Sequence, residues 1–271
     1  EGHMEEFEKA LSRGYDIIVD RMNFDKKQRN RYLDPARKVG YATRIIVLHV
    51  SRSTCLERCN ARVGHPTIKD SKSASQAVNF FFSNYERVSD DEADEIMRLG
   101  WVDVNAPKAI VCDLDGTLSN VEHRRHHVRP TIETVYGSPH EIPTEAPKKF
   151  KPNWKAFFEE MTLDPVDPVC SAILKDFSES YPIVYATGRP DNYKEQTETW
   201  LQENNLRYPG SLLFMRMRND MRKDNIVKEI MLEFEVKTRY NVFFALDDRD
   251  QVVEMLRSHG VKVLQVAEGS F

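Results

Sequence analysis

The apolar run Ala109-Ile110-Val111-Cys112 ends in Asp113-Leu114-Asp115-Gly116-Thr117, and this junction constrains the chain more than any other stretch. A short apolar run bounded by a turn reads as a buried strand. Residues two apart share one side of a strand, so Asp113 and Asp115 leave it together. Gly116 allows the tight turn that lets both converge on one ligand. Two carboxylates this close repel when charged and desolvated, and a divalent cation or a shared proton relieves that repulsion. The pattern predicts a magnesium-dependent phosphoryl-transfer site with an aspartate nucleophile. A calcium loop does not fit, because no acids alternate through Leu118-Ser119-Asn120 and no late bidentate Glu follows.

Three further strand ends carry matching chemistry. Pro182-Ile183-Val184-Tyr185-Ala186 opens into Thr187-Gly188-Arg189, where a hydroxyl, freed backbone N–H groups and a guanidinium suit phosphate oxygens. Leu212-Leu213-Phe214-Met215 leads to a polar turn, Asn219 to Asp224, in which Lys223 heads a predicted helix and offers a point charge. Val242-Phe243-Phe244-Ala245-Leu246 runs into Asp247-Asp248, a second acid pair. Singly, Lys223 also reads as a solvated helix residue and Asp247-Asp248 as a helix cap. Four such ends in one run of alternating strands and helices argue for a single site. Phosphatase-half strands are expected at about 108–113, 182–186, 211–216, 242–246 and 261–266, in a parallel sheet.

Those stretches resemble the haloacid dehalogenase-like phosphohydrolases. The resemblance is closer still to the phosphatase half of the bacteriophage polynucleotide kinase/3′-phosphatases. It rests on Ala109 to Leu118, Arg222 to Glu229, Asp247 to Met255 and the ending Gln265 to Phe271, and it covers most of 107–271. It implies hydrolysis of 3′-phosphate ends of DNA or RNA in two steps. Asp113 would form an aspartyl phosphate, and Asp115 would serve as general acid and then base. The resemblance places Mg2+ on Asp113, the main-chain carbonyl of Asp115, Asp247 and Asp248. It gives Thr187, Gly188, Arg189 and Lys223 to the phosphoryl oxygens, and adds Arg124 and Asp220 as site residues. A small irregular cap is expected over about 119–160, broken by Pro130, Pro139, Pro143, Pro147 and Pro152. The His123 to Arg129 stretch in it reads as phosphate contact rather than zinc site, since its arginines oppose a cation. Trp154, Phe157 and Phe158, at helical spacing, read as core rather than base-stacking residues.

Residues 1–100 read as a different unit, separated by a linker at 101–107 from the phosphatase-like residues 108–271. Strands are expected at Asp16 to Asp20 and Arg44 to Val50, with a basic helix over Lys26 to Lys38. A helix over Ser53 to Arg62 presents Arg58 and Arg62 four apart on one face. This resembles the later half of a P-loop polynucleotide 5′-kinase, with Asp20 and Asn23 near the acceptor and Arg58 and Arg62 as lid arginines on donor phosphates. No Gly-x-x-x-x-Gly-Lys-[Ser/Thr] string occurs in the chain. These residues are therefore expected not to phosphorylate anything, and ATP enters as a partner only if other sequence supplies the loop. The acidic run Asp90 to Glu95 reads as a solvated face of the last helix of this unit.

The resemblance implies an α/β fold, a Rossmann-like parallel sheet of the haloacid dehalogenase type with a small cap, preceded by an incomplete P-loop kinase-like domain. Composition agrees with a soluble enzyme. A net charge of −4 gives no global basic footprint, so contact with nucleic-acid 3′ ends must be local. Cys55, Cys59, Cys112 and Cys170 show no metal spacing and are expected to be free thiols. No apolar run approaches a membrane span, and a cytoplasmic setting without a membrane partner is expected. The resemblance admits a homo-oligomer. A small-molecule phosphatase of the same superfamily and a non-catalytic scaffold module stand as alternatives.

Overall fold

The computed structural model describes residues 2–129 and 150–269, and the chain divides into two compact units, Glu1–Trp101 and Val102–Phe271. The expected prolines 130, 139, 143 and 147 of the cap lie outside the described residues.

In the second unit, five strands form one wholly parallel sheet: β3 (Lys108–Cys112), β4 (Ile183–Pro190), β5 (Leu212–Arg216), β6 (Asn241–Asp247) and β7 (Val263–Gln265). Their order is β5-β4-β3-β6-β7, so the chain reverses direction across the sheet at β3. Ligands of open α/β sheets bind outside the carboxyl ends of the strands at such a switch point. Alternation along the strands divides the core in two. Ala109, Val111, Val184, Ala186 and Ala245 face one layer, packed on α8 (Asp224–Ile230) and α9 (Asp250–Ser258). Ile110, Cys112, Ile183, Tyr185, Phe244 and Leu246 face the other, packed on α6 (Pro168–Ser178) and α7 (Lys194–Glu203). Helix α6 starts where expected of an Asp-Pro pair. The Asp167 carboxylate accepts the Val169 and Cys170 N–H groups, and Pro168 sits in the first turn, where its missing donor costs nothing.

The observed strands match the expected ones to within a few residues, with one informative difference. The sequence predicts a strand-to-helix turn at Thr187-Gly188-Arg189, whereas β4 runs on through these residues to Pro190 with a register shift after Thr187. A bulge of this kind re-aims a side chain without ending the strand. The described part of the cap is a 3-10 helix, Glu122–His127, the short helix α5 (Trp154–Glu159) and a 3-10 turn, Met161–Leu163.

In the first unit, α1 (Gly2–Ser12), α2 (Lys26–Lys38), α3 (Arg52–Asn60) and α4 (Ser71–Asn84) accompany a two-stranded parallel sheet, β1 (Arg44–Leu48) with β2 (Glu95–Leu99). Two expectations fail here. Asp16 to Asp20 forms no strand, and Ile18 at its middle is 93% exposed. A strand exists only through a neighbour's ladder, and β1 takes β2 as its partner instead. The Asp90 to Glu95 run is no helix face but the entry to β2. Its Glu92 is buried against Arg29, Oε2 to Nε 2.7 Å, and its Asp94 accepts the Thr43 N–H and hydroxyl. The acids are there to satisfy buried donors at the start of a strand.

Candidate phosphoryl-transfer site

Strands β3 and β6 are neighbours with Cys112 beside Leu246, so the next residues, Asp113 and Asp247, emerge side by side. Their parity puts both on the α8 side of the sheet, with Ala109, Val111 and Ala245. Asp248 follows, and carboxylate oxygens of Asp113, Asp247 and Asp248 all lie within 4.8 Å of one another. Three hard oxygen donors so placed suit Mg2+. Gly116 completes the wall: its φ is +90°, and a Cβ there would stand 2.4 Å from Asp248 Oδ2. The Thr117 hydroxyl donates to Asp248 Oδ1 at 3.3 Å. A Cβ at Gly269 would stand 2.1 Å from the Asp248 carbonyl oxygen, and the Gly269 carbonyl accepts the Asp250 N–H.

The cation inside this cluster is Lys228, on α8. Its Nζ stands 2.8 Å from Asp113 Oδ1, 2.8 Å from Asp247 Oδ2 and 3.3 Å from Asp224 Oδ2. Burial alone would lower the Lys228 pKa, but Asp113, Asp224 and Asp247 hold it well above its ordinary value, so it stays an ammonium. Burial pushes the Asp113 carboxyl well up, with Asp247 and Asp248 adding repulsion that Lys228 only partly offsets. Asp248 is raised by burial and by Asp247. Burial and mutual repulsion thus press these acids toward the neutral form, and a divalent cation would favour the ionised one.

Lys223 and Asp220 are not brought to the acidic cluster. Lys223 is exposed just before α8, five residues ahead of Lys228, and Asp220 pairs with Arg222 at 2.6 Å rather than with the cluster. The expectation took the head of the helix. The residues brought to the site are Asp224 and Lys228, four apart on the same helix face. Their spacing within Arg222 to Glu229 was the available signal.

Asp115 turns the other way. Its Oδ1 accepts from Arg124 Nη2 at 2.7 Å, Arg189 Nε at 2.8 Å and Arg189 Nη2 at 2.6 Å. Burial would raise this carboxyl, but Arg189 and Arg124 outweigh it and hold it far below the usual carboxylate range. Both arginines are fully buried and meet again at Asp164, a residue that no sequence motif marks. Arg124 Nε and Nη2 fork onto Asp164 Oδ1 and Oδ2 at 2.6 and 2.5 Å, and Arg189 Nη2 reaches Oδ2 at 3.1 Å. Arg124 also lies over the Phe157 ring, 4.0 Å from its centroid. Arg189 Nη1 is buried with no hydrogen-bond partner among the described residues, a donor available to a ligand oxygen.

Thr187 is buried and its hydroxyl accepts the Arg189 N–H at 3.2 Å, which fixes the bulge. At Gly188 a Cβ would meet Asp224 Oδ1 at 2.5 Å. Arg216, likewise unmarked by any motif, staples the region together. Its Nε donates to the Gly188 carbonyl at 3.0 Å, its Nη2 to Asp224 Oδ1 at 2.9 Å and its Nη1 to the Arg222 carbonyl at 2.8 Å. The histidines form no metal set among the described residues; His127 pairs with Glu160 at 2.9 Å.

Of the first-unit residues expected near nucleotide, only Asn23 is partly buried. Asp20, Arg58 and Arg62 are exposed, Arg62 lies beyond the end of α3, and Asn23 has a φ of +43° with its carbonyl accepting from Arg29.

Comparisons with known proteins agree with this division. Residues 154–271 match the family model of the polynucleotide kinase PNKP phosphatase domain, and residues 2–88 match that of an AAA domain. The chain is 25% identical over 257 residues to a protein of Autographa californica nuclear polyhedrosis virus named as a bifunctional polynucleotide kinase/RNA ligase. That match covers 93% of this chain and 31% of the viral protein, so the chain spans under a third of its relative's length. Among solved structures, a chain of the Pnkp1/Rnl/Hen1 RNA repair complex is 26% identical, with 81% of this chain and 62% of that one covered, at a TM-score of 0.48. A haloacid dehalogenase-like hydrolase of Streptococcus pneumoniae is 14% identical, with 59% and 84% covered, at a TM-score of 0.39. The chain is thus similar over residues 154–271 to the phosphatase domain of polynucleotide kinase PNKP, and over residues 2–88 to an AAA domain.

Proposed function

We propose that residues 102–271 are a polynucleotide 3′-phosphatase acting through an aspartyl phosphate. The observation that carries this is the pairing of two arrays at one sheet end. Asp113, with Asp247, Asp248 and Lys228, faces one side, and Asp115, gripped by Arg124 and Arg189, faces the other. A phosphoryl group between them has an oxyanion nucleophile on one flank and donors on the other. Asp113, Asp247, Asp248 and the Asp115 main-chain carbonyl would hold Mg2+, which when bound offsets charge on the phosphoryl oxygens.

Asp113 attacks phosphorus as the carboxylate that Lys228 favours at 2.8 Å. The bond from phosphorus to the 3′-oxygen breaks as the aspartyl phosphate forms, and the leaving 3′-oxygen takes its proton from Asp115. Lys228 holds that carboxylate in place and keeps the attack oxygen's orientation. Arg189 Nη1 and the Thr187-Gly188 bulge supply donors where charge spreads over the equatorial oxygens. Asp115, ionised in the free site, is ready as base for the hydrolytic water. For the first step it must take up a proton, and phosphoryl oxygens drawing the two arginines away are the change that lets it do so. The N-terminal residues contribute no phosphate loop, and a 5′-kinase activity would need one from other sequence.

The test is release of inorganic phosphate from a 3′-phosphorylated oligonucleotide with magnesium, comparing the chain with Asp113→Asn. Magnesium-dependent release lost in the variant supports the reading. Turnover of small phosphate esters alone would assign a metabolite phosphatase, and silence on both would favour a scaffold module.

A further inference from the structure

The cap's aromatic residues do not share one environment. Phe157 is buried beneath Arg124, as a core residue, while Trp154 on the same short helix is 48% exposed. Trp154 lies nearly parallel to Phe158, with ring centroids 6.0 Å apart and planes at 25°, and Phe158 continues to Tyr193 at 5.4 Å. The three rings make a half-exposed band, and Trp154 also meets Phe157 edge-on at 5.7 Å. The band is thus linked by direct contacts, Trp154 to Phe157 to Arg124 to Asp115, to the reacting centre. Its position is fixed, because the Asn153 N–H donates to the His127 carbonyl at 2.7 Å and the Asn153 side chain caps the helix.

The neighbouring 3-10 helix is basic. Arg125, His126 and His127 follow Arg124, and Arg129 lies two residues beyond its end. A band of flat rings joined through Asn153 and His127 to a short helix rich in arginine, and through Phe157 and Arg124 to Asp115, has the chemistry that holds unpaired nucleotides: bases stack on rings and phosphodiesters meet cations.

We propose that Trp154, with Phe158 and Tyr193 behind it, is the stacking platform for the unpaired bases next to the phosphorylated 3′ end, with Arg125 and Arg129 taking the adjoining phosphodiesters. This deepens the phosphatase reading and rests on it. The substrate is then a single-stranded end rather than a mononucleotide.

The experiment compares a 3′-phosphorylated hexathymidylate with the same strand made abasic at the two residues nearest its end. In the parent, KM for the abasic strand is expected to be higher by about tenfold or more. Trp154→Ala should bring that ratio to within about twofold of unity, and Trp154→Phe should keep most of it. Binding without turnover is read separately, as quenching of tryptophan fluorescence by the 3′-hydroxyl strand, which Trp154→Phe should abolish. Hydrolysis of both strands with equal KM, or a ratio unchanged in Trp154→Ala, overturns the platform and leaves the phosphatase standing. Base-dependent quenching without phosphate release from any strand keeps the platform and overturns the phosphatase.

Discussion

Lys228 Nζ stands 2.8 Å from Asp113 and 2.8 Å from Asp247, one ammonium neutralising the ends of two adjacent strands. All three groups are buried, and removing one partner of such a set costs about 3–5 kcal/mol because it strands the others. Lys228→Met is therefore expected to melt well below the parent in chelator. Magnesium should restore more of that loss than it adds to the parent, since the acids then have only the divalent ion to neutralise them. Melting curves with and without magnesium check this. Equal magnesium shifts in the two proteins would count against a metal site at Asp113, Asp247 and Asp248.

Asp115 gives a pH prediction. Its carboxyl is held far below the usual range by Arg189 and Arg124, against the effect of burial. The folded pKa lies below the unfolded value of about 3.9, so the stability it brings is present above that value and is lost as pH falls through the folded one. Between about pH 4 and pH 2 the parent should therefore lose melting temperature more steeply than Asp115→Asn. At neutral pH the same variant should lose phosphate release by about 100-fold or more, the usual worth of a proton-transfer group. Parallel acid limbs for the two proteins would contradict the arginine clamp.

Much of this site was legible in the sequence, for a physical reason. Strand ends are local. Apolar alternation marks where Ile110, Val184 and Ala245 run, and polar residues following each run must arrive at one edge of a parallel sheet. That reasoning finds Asp113, Asp115, Thr187, Arg189, Asp247 and Asp248 without a structure. It fails where the deciding contact is non-local or angular. Lys223 and Lys228 differ by a turn and a half of helix, and only the seating of α8 against β3 and β6 decides between them. Asp164 follows an unremarkable 3-10 turn, and nothing near it in sequence announces two arginines from 40 and 25 residues away. Strand β2 was hidden because its acidic entry satisfies Arg29 and Thr43, donors that lie far back in the chain.

Gly116 is expected to tolerate no side chain. With φ at +90° and Asp248 Oδ2 only 2.4 Å from where a Cβ would stand, Gly116→Ala is strained in its backbone and displaces a carboxylate of the acidic trio. Strain at such a position costs on the order of 1–3 kcal/mol. The expected result is a lower melting temperature together with a magnesium requirement for phosphate release shifted to higher concentration. A magnesium titration of the rate measures it. An unchanged requirement would mean that Asp248 lies outside the metal's reach.

Lys223 and Lys228 stand in contrasting surroundings, one exposed and one buried against Asp113. Lys223 is exposed and gives its helix no side-chain cap, so Lys223→Ala removes a solvated charge five residues ahead of Lys228. Substitutions of this kind usually stay within about 0.5 kcal/mol. Phosphate release by Lys223→Ala should remain within about threefold of the parent, because a screened surface charge contributes little across a turn of helix. Lys228→Ala, which strips the ammonium from Asp113 itself, should lose about 100-fold or more, as when a group aimed at transition-state charge is removed. Initial rates of both variants at saturating oligonucleotide decide the matter. A loss in Lys223→Ala as deep as in Lys228→Ala would return the phosphoryl contact to the head of α8 and leave Lys228 as a purely structural cation.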